Sequence, residues 1–142
     1  MDNRVVNMIQ AVARSRKRSR HERALLARTA VLFACAHALL RAAQLSTARK
    51  RLAAIARTLG AHAKNAQQLT WVIDAVHRNL PGHHSCLIDA MCCEAIAANS
   101  GIASEFKLGA ARGAERMHFH AWVEHHGRII AGAHDGEFTA FR

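Results

Sequence analysis

The chain has no tyrosine, one proline, two tryptophans and only half as many acidic as basic side chains, 10 against 20. Each shortage narrows what it can do. With aromatic residues at 5%, it lacks a stacking set for nucleic acid, and neither a helix-turn-helix nor an RNA-binding signature accompanies the basic residues. The four cysteines, Cys35, Cys86, Cys92 and Cys93, form no C-x-x-C pair and no secreted disulfide spacing. A reduced, cytoplasmic setting is the expectation. The basic N-terminal stretch is not followed by a signal-peptide cleavage pattern. The most apolar run, Thr29 to Leu40, is too short to span a bilayer and leaves open only a peripheral membrane contact.

What is present is a globular composition, 51% hydrophobic over 142 residues, enough for one domain with one core. The net charge of +10 is uneven: residues 1–60 hold 13 Lys and Arg against Asp2 and Glu22, and the remainder holds 7 basic against 8 acidic. Such an excess attracts nucleic acid, anionic lipid or an acidic peptide. The plainer reading is a solubilising helix face.

Periodicity divides the chain into a basic, mobile tail (1–20), a helical N-terminal part (21–80) and a core (81–142) within one compact domain. Apolar spacing predicts helices from Glu22 to about Leu45, from Thr47 to Leu59 with Gly60 as cap, and from Trp71 to Leu80. Ala61–Gln68 reads as a loose connection, and Pro81-Gly82 stops the third helix. Leu87, Ile88, Met91, Ala95 and Ala98 predict a fourth helix, from Cys86 to Asn99-Ser100-Gly101.

The period then becomes two. Ile102, Phe106 and Leu108 mark a strand, and Gly109 to Glu115 reads as a loop. The next strand carries Met117, Phe119, Ala121 and Val123 on one face and His118, His120, Trp122 and Glu124 on the other. His126-Gly127 reverses the chain into a third strand from Arg128 to Ala131. The fold class is α+β, helices packed on one catalytic helix and a small antiparallel sheet.

Cys86 follows the capping residue Ser85, so it falls in a first helical turn, where the dipole and unpaired N–H groups favour a thiolate. A histidine on the following sheet can take its proton; His118 and His120 share one strand face and both qualify by spacing. Trp122 on that face can wall the site and exclude water. Cys92 and Cys93 lie mid-helix and read as core, and His37 receives no role. Eleven histidines invite a zinc reading from His83, His84, Cys86, His118 and His120. However, H-H-x-C with H-x-H matches no strong zinc spacing, and a metal would occupy the nucleophile. No metal or cofactor is expected.

Trp71, Leu80-Pro81-Gly82, Cys86-Leu87, Asp89-Ala90, Gly101, Gly109, His120-Ala121-Trp122-Val123-Glu124, Gly127-Arg128 and Gly132 carry a resemblance. Over roughly Ala24 to Phe141 the chain resembles the transglutaminase-like, papain-related cysteine enzymes, and within them the lasso peptide biosynthesis B2 proteins, which remove leader peptides. The resemblance implies a cysteine protease with Cys86 as nucleophile and His120, preceding Ala-Trp-Val-Glu, as base. His118 and Trp122 would then line the substrate site. It implies a lasso precursor peptide as substrate and, as partners, a small leader-binding B1-type protein and an asparagine synthetase-like cyclase. In that family an Asp commonly follows the His by about a dozen residues; here the twelfth residue is Gly132.

Strand register offers two alternatives. A two-residue turn at His126-Gly127 sets His120 opposite Ala133 and Asp135 diagonal to it. A three-residue turn sets His120 opposite Gly132 and puts His134 on that face instead. Asp135 is taken as the orienting acid. A transglutaminase-like acyltransferase shares the same acyl-enzyme, so the sequence does not separate transfer from hydrolysis.

Overall fold

The computed structural model describes residues 17–112, 115–132 and 139–140. Ser19 starts its first helix, α1 (Arg20–Ala42), through a reciprocal cap. The Ser19 hydroxyl accepts from the Glu22 N–H, and the Glu22 carboxylate accepts from the Ser19 N–H. Arg20, expected in the tail, is therefore helical; residues 1–16 lie outside the described residues. By length and composition α1, with 23 residues, could cross a membrane. One of its faces, Leu25, Thr29, Leu32, Phe33 and Ala36, is nevertheless packed into the protein core.

Helix α2 (Leu45–Leu59) ends on Gly60 in the left-handed conformation, φ 68°, and Arg28 of α1 donates to the Gly60 carbonyl. Helix α3 (Ala66–Asn79) begins at Ala66, ahead of the apolar repeat that opens at Trp71. Asn65 is the reason. Its side-chain carbonyl accepts from the Gln68 N–H at 2.8 Å, a cap that periodicity alone does not register.

The remaining elements are α4 (Cys86–Ser100) and a four-stranded antiparallel sheet in the order β3-β2-β1-β4. Its strands are β1 (Glu105–Arg112), β2 (Met117–His125), β3 (Arg128–Ala131) and β4 (Thr139–Ala140). β1 continues through Gly109–Arg112, where a loop is expected from the sequence. Pairing with Met117–His120 on one side and with β4 on the other supplies ladder partners that small side chains do not advertise.

α4 packs against all three other helices and against β1, β2 and β3. Ile88 to Cys93 and Ala95 to Ala97 are buried, so it has almost no solvent face. Arg49 of α2 ties this centre to its surroundings. It grips Glu94 through two hydrogen bonds, 2.9 and 2.5 Å, while its guanidinium lies 4.0 Å from the Phe106 ring centre on β1.

Truncating the middle of α4 removes contacts on several sides at once. Ile96→Ala is expected to lower unfolding free energy by about 2–5 kcal/mol in urea titration. Arg51→Ala, on an exposed position of α2, should move it by less than about 0.5 kcal/mol.

Candidate active site

The path into α4 is set by its loop. Leu80 is extended (φ −76°, ψ 128°), as a following proline requires. Gly82 adopts φ 116°, a conformation that side chains resist. Ser85 is extended and caps α4, its hydroxyl accepting from the Ile88 N–H at 3.4 Å. Cys86 is thus the first residue of a helix, half-buried. The Asp89 N–H bonds the Ser85 carbonyl, whereas those of Cys86 and Leu87 have no acceptor within the helix. They and the dipole favour negative charge at this point, a thiolate or an oxyanion. Cys92 and Cys93 are buried, and burial pushes both thiols well above their ordinary value; they are core residues.

The sheet carries the histidine. β1 follows α4 after Gly101, its antiparallel partner is β2, and both strands pack against α4. His120 sits in the first half of β2, opposite Gly109. Its Nε2–H donates to the Gly132 carbonyl at 2.5 Å. A carbonyl only accepts, so the neutral ring carries its lone pair on Nδ1, the atom able to take a thiol proton.

Trp122, on the same strand face, stacks on His120 with ring centres 6.4 Å apart and planes at 26°. At 4% exposure it walls the histidine and offers little surface to a substrate. The indole N–H donates to Glu124, whose carboxylate also accepts from Lys107, both at 2.9 Å. Lys107 holds the Glu124 carboxyl below its ordinary range. His118 is exposed on that face, and its strand neighbours Met117 and Phe119 are exposed on the other.

The hairpin explains how a backbone carbonyl comes to accept from His120. His126 (φ 49°) and Gly127 (φ 75°) form a two-residue turn, so His125 pairs with Arg128 and Glu124 with Ile129. A bulge follows, and Val123 pairs with Ala131. Neither register expected from the sequence continues past it. The extra residue brings Gly132, at φ 72°, against the backbone of Ala121 and Trp122, where a Cβ would collide with the Ala121 carbonyl oxygen. Gly132 therefore supplies the acceptor for His120 with its backbone. Asp135 and His134 lie outside the described residues.

Two further contacts carry no periodic signal. Asp89, 9% exposed, accepts from His77 Nδ1–H of α3 at 2.9 Å. Burial raises its pKa, against the His77 bond, which lowers it. His37, given no role from the sequence, bonds His84 at 3.0 Å. Among the described residues, no group of three or more His, Cys, Asp or Glu side chains is arranged to hold a metal ion.

Gly132→Ala tests the backbone acceptor. It should cost about 1–3 kcal/mol of stability in urea. In imidazole nitrogen NMR the His120 ring should also lose its fixed Nε2–H tautomer, and an unaltered His120 signal would count against this geometry.

The model of the transglutaminase-like superfamily matches residues 29–142. No curated protein and no solved structure matches the chain. The matched span runs from within α1 across every later element, well over half of the sequence, and takes in both Cys86 and His120. This chain belongs to the transglutaminase-like superfamily, whose domains are typically cysteine-protease-like enzymes.

Proposed function

We propose that the chain is a cytoplasmic cysteine peptidase that removes the leader from a ribosomally made lasso precursor before macrolactam closure. The observation that carries this reading is a half-buried cysteine at the first position of α4, with an oriented histidine on β2, a strand packed against that helix. The sequence blocks around Cys86 and His120, similar to those of lasso B2 proteins, supply the substrate class.

In this mechanism the Cys86 thiolate attacks the carbonyl carbon of the scissile amide. Backbone N–H groups of the first turn of α4 receive the oxyanion. The C–N bond breaks as His120, protonated on Nδ1, gives that proton to the leaving amine. Water, deprotonated by the same nitrogen, then attacks the thioester carbonyl, releasing a carboxylate and the thiol. The Gly132 carbonyl orients the ring, and Asp135 is assigned to offset the imidazolium charge. Exposed His118 is assigned to the substrate side, and buried Trp122 to the wall that holds the histidine.

Partners follow from the same reading: a small leader-binding B1-type protein and an asparagine synthetase-like cyclase. The helical half presents a groove of about 550 Å³ between α1 and α3, lined by Arg18, Leu26, Trp71, Arg78 and Leu80 among others. It is the surface assigned to the leader or its carrier.

The test is mass spectrometry of a co-encoded precursor peptide incubated with this chain and its leader-binding partner. One cleavage is expected, the fragment masses summing to the precursor plus water. Cys86→Ala and His120→Ala should each lower the rate at least about 1,000-fold, and Asp135→Ala about 10–100-fold. An intact precursor beside an active partner would falsify the peptidase reading. Fragments joined to an added amine in place of water would move the assignment to acyl transfer.

A further inference from the structure

Four titratable side chains that take no part in this chemistry converge on the loop before Cys86: His37 from α1, His77 from α3, His84 from the loop and Asp89 from α4. His84 is their hub. Its Nε2–H donates to the Leu80 carbonyl at 3.1 Å, so its Nδ1 is the acceptor, and His37 Nε2–H donates to it at 3.0 Å. The same ring meets Phe33 edge-on at 5.3 Å and His77 at 6.0 Å. His77 in turn donates to Asp89, one turn along the helix that Cys86 starts.

The loop needs such an anchor. It contains Gly82 at φ 116° and is exposed at Pro81, Gly82, His83 and Ser85. Among the described residues, His84 alone sends side-chain hydrogen bonds from this loop beyond α4. Residue 84 is two positions from Cys86, so a shift of its ring displaces Ser85, the cap, and the thiol with it.

We propose that His84 is a positioning residue for Cys86, and that the His37–His84 pair makes this positioning sensitive to acid. The proposal rests on Cys86 being the nucleophile. Proton counting gives the switch. In the neutral pair a single N–H lies between the two facing nitrogens. One added proton goes to His37 Nδ1 and leaves that bond intact. A second sets N–H against N–H across 3.0 Å, and the contact cannot survive.

The surrounding charges decide where this happens. Burial, His84, Arg41 of α1 and His83 of the loop all hold His37 below its ordinary value. Asp89 faces His84 from α4, but it is already engaged by His77 and is faced by Asp74 of α3. For a histidine held low, the unfolded chain takes up its proton first. The penalty is absent above pH 6.5, the ordinary value, and grows as pH falls below it. The lock is therefore closed near neutrality and opens on the acid side.

The experiment is the rate of Cys86 alkylation by iodoacetamide on the full chain from pH 5 to 8, read by peptide mass mapping with Cys35 as internal reference. Wild type is compared with His84→Phe, which fills the space without hydrogen bonds, and His84→Gln, which can donate and accept without titrating. We expect His84→Phe to slow Cys86 about ten-fold at pH 8 with circular dichroism unchanged, and His84→Gln to restore at least half of the wild-type rate. Below pH 6.5 wild type should lose Cys86 reactivity more steeply than His84→Gln. Should His84→Phe fail to fold, the pH comparison with His84→Gln decides the matter. Matching pH profiles in wild type and His84→Gln, or full reactivity in folded His84→Phe, would overturn the proposal alone. Cys86 no more reactive than Cys35 in wild type would instead overturn the nucleophile assignment, and this proposal with it.

Discussion

The fold depends on burying one helix on nearly every side while leaving its first residue, Cys86, only half-buried. α4 has the composition of a core element, Ile88, Ala90, Met91, Cys92, Cys93, Ala95, Ile96 and Ala97 in close succession. Such a helix cannot sit at a surface. Covering it takes three helices and a sheet, which is why a short chain devotes Arg20 to Asn79 to α1, α2 and α3. The N-terminus is less enclosed than the middle: Cys86 is half-buried, and Ser85 before it is exposed. The loop 80–85 brings the chain in from the end of α3 and turns it at Pro81-Gly82.

A buried helix must also satisfy its polar groups, and each is satisfied by a segment that arrives from elsewhere in the sequence. Asp89 is met by His77. Glu94 is met by Arg49. At the far end Asn99 donates to the Ala61 carbonyl, and Ser100 accepts from the Ala63 N–H. These contacts, more than the apolar packing, fix the rotation of α4 and hence the direction of Cys86, since apolar surfaces tolerate sliding and hydrogen bonds do not.

This division separates what is legible in the sequence from what is not. The helices at Glu22, Thr47 and Cys86, the strand change after Gly101 and the His126-Gly127 turn follow from local signals, and the structure contains each of them. Cys86 and His120 stand out because each is a chemical residue at a position whose local geometry is readable, a capped helix start and a strand face. Asn65 as a cap, β1 beyond Gly109, the His37–His84 bond and the Glu124–Lys107–Trp122 chain depend on which segments meet, and spacing does not encode that. The two-residue turn is read correctly. The bulge beyond Glu124, which decides what lies beside His120, has no signature in Ile129-Ile130-Ala131.

That bulge changes what the site asks of its third member. A histidine acting as base needs an acceptor that fixes its tautomer, and it needs compensation for the charge it gains. A carboxylate at the twelfth position after the histidine would do both. Here that position is glycine, and the backbone carbonyl of Gly132 takes the first task by a close approach that only glycine permits. A carbonyl dipole compensates charge less well than a carboxylate does. Trp122 lies beside the imidazole, its ring stacked on it and its indole N–H held by Glu124. Orientation and charge balance, which one side chain can supply together, are separable tasks for a histidine, and the Gly132 carbonyl can serve only the first of them well.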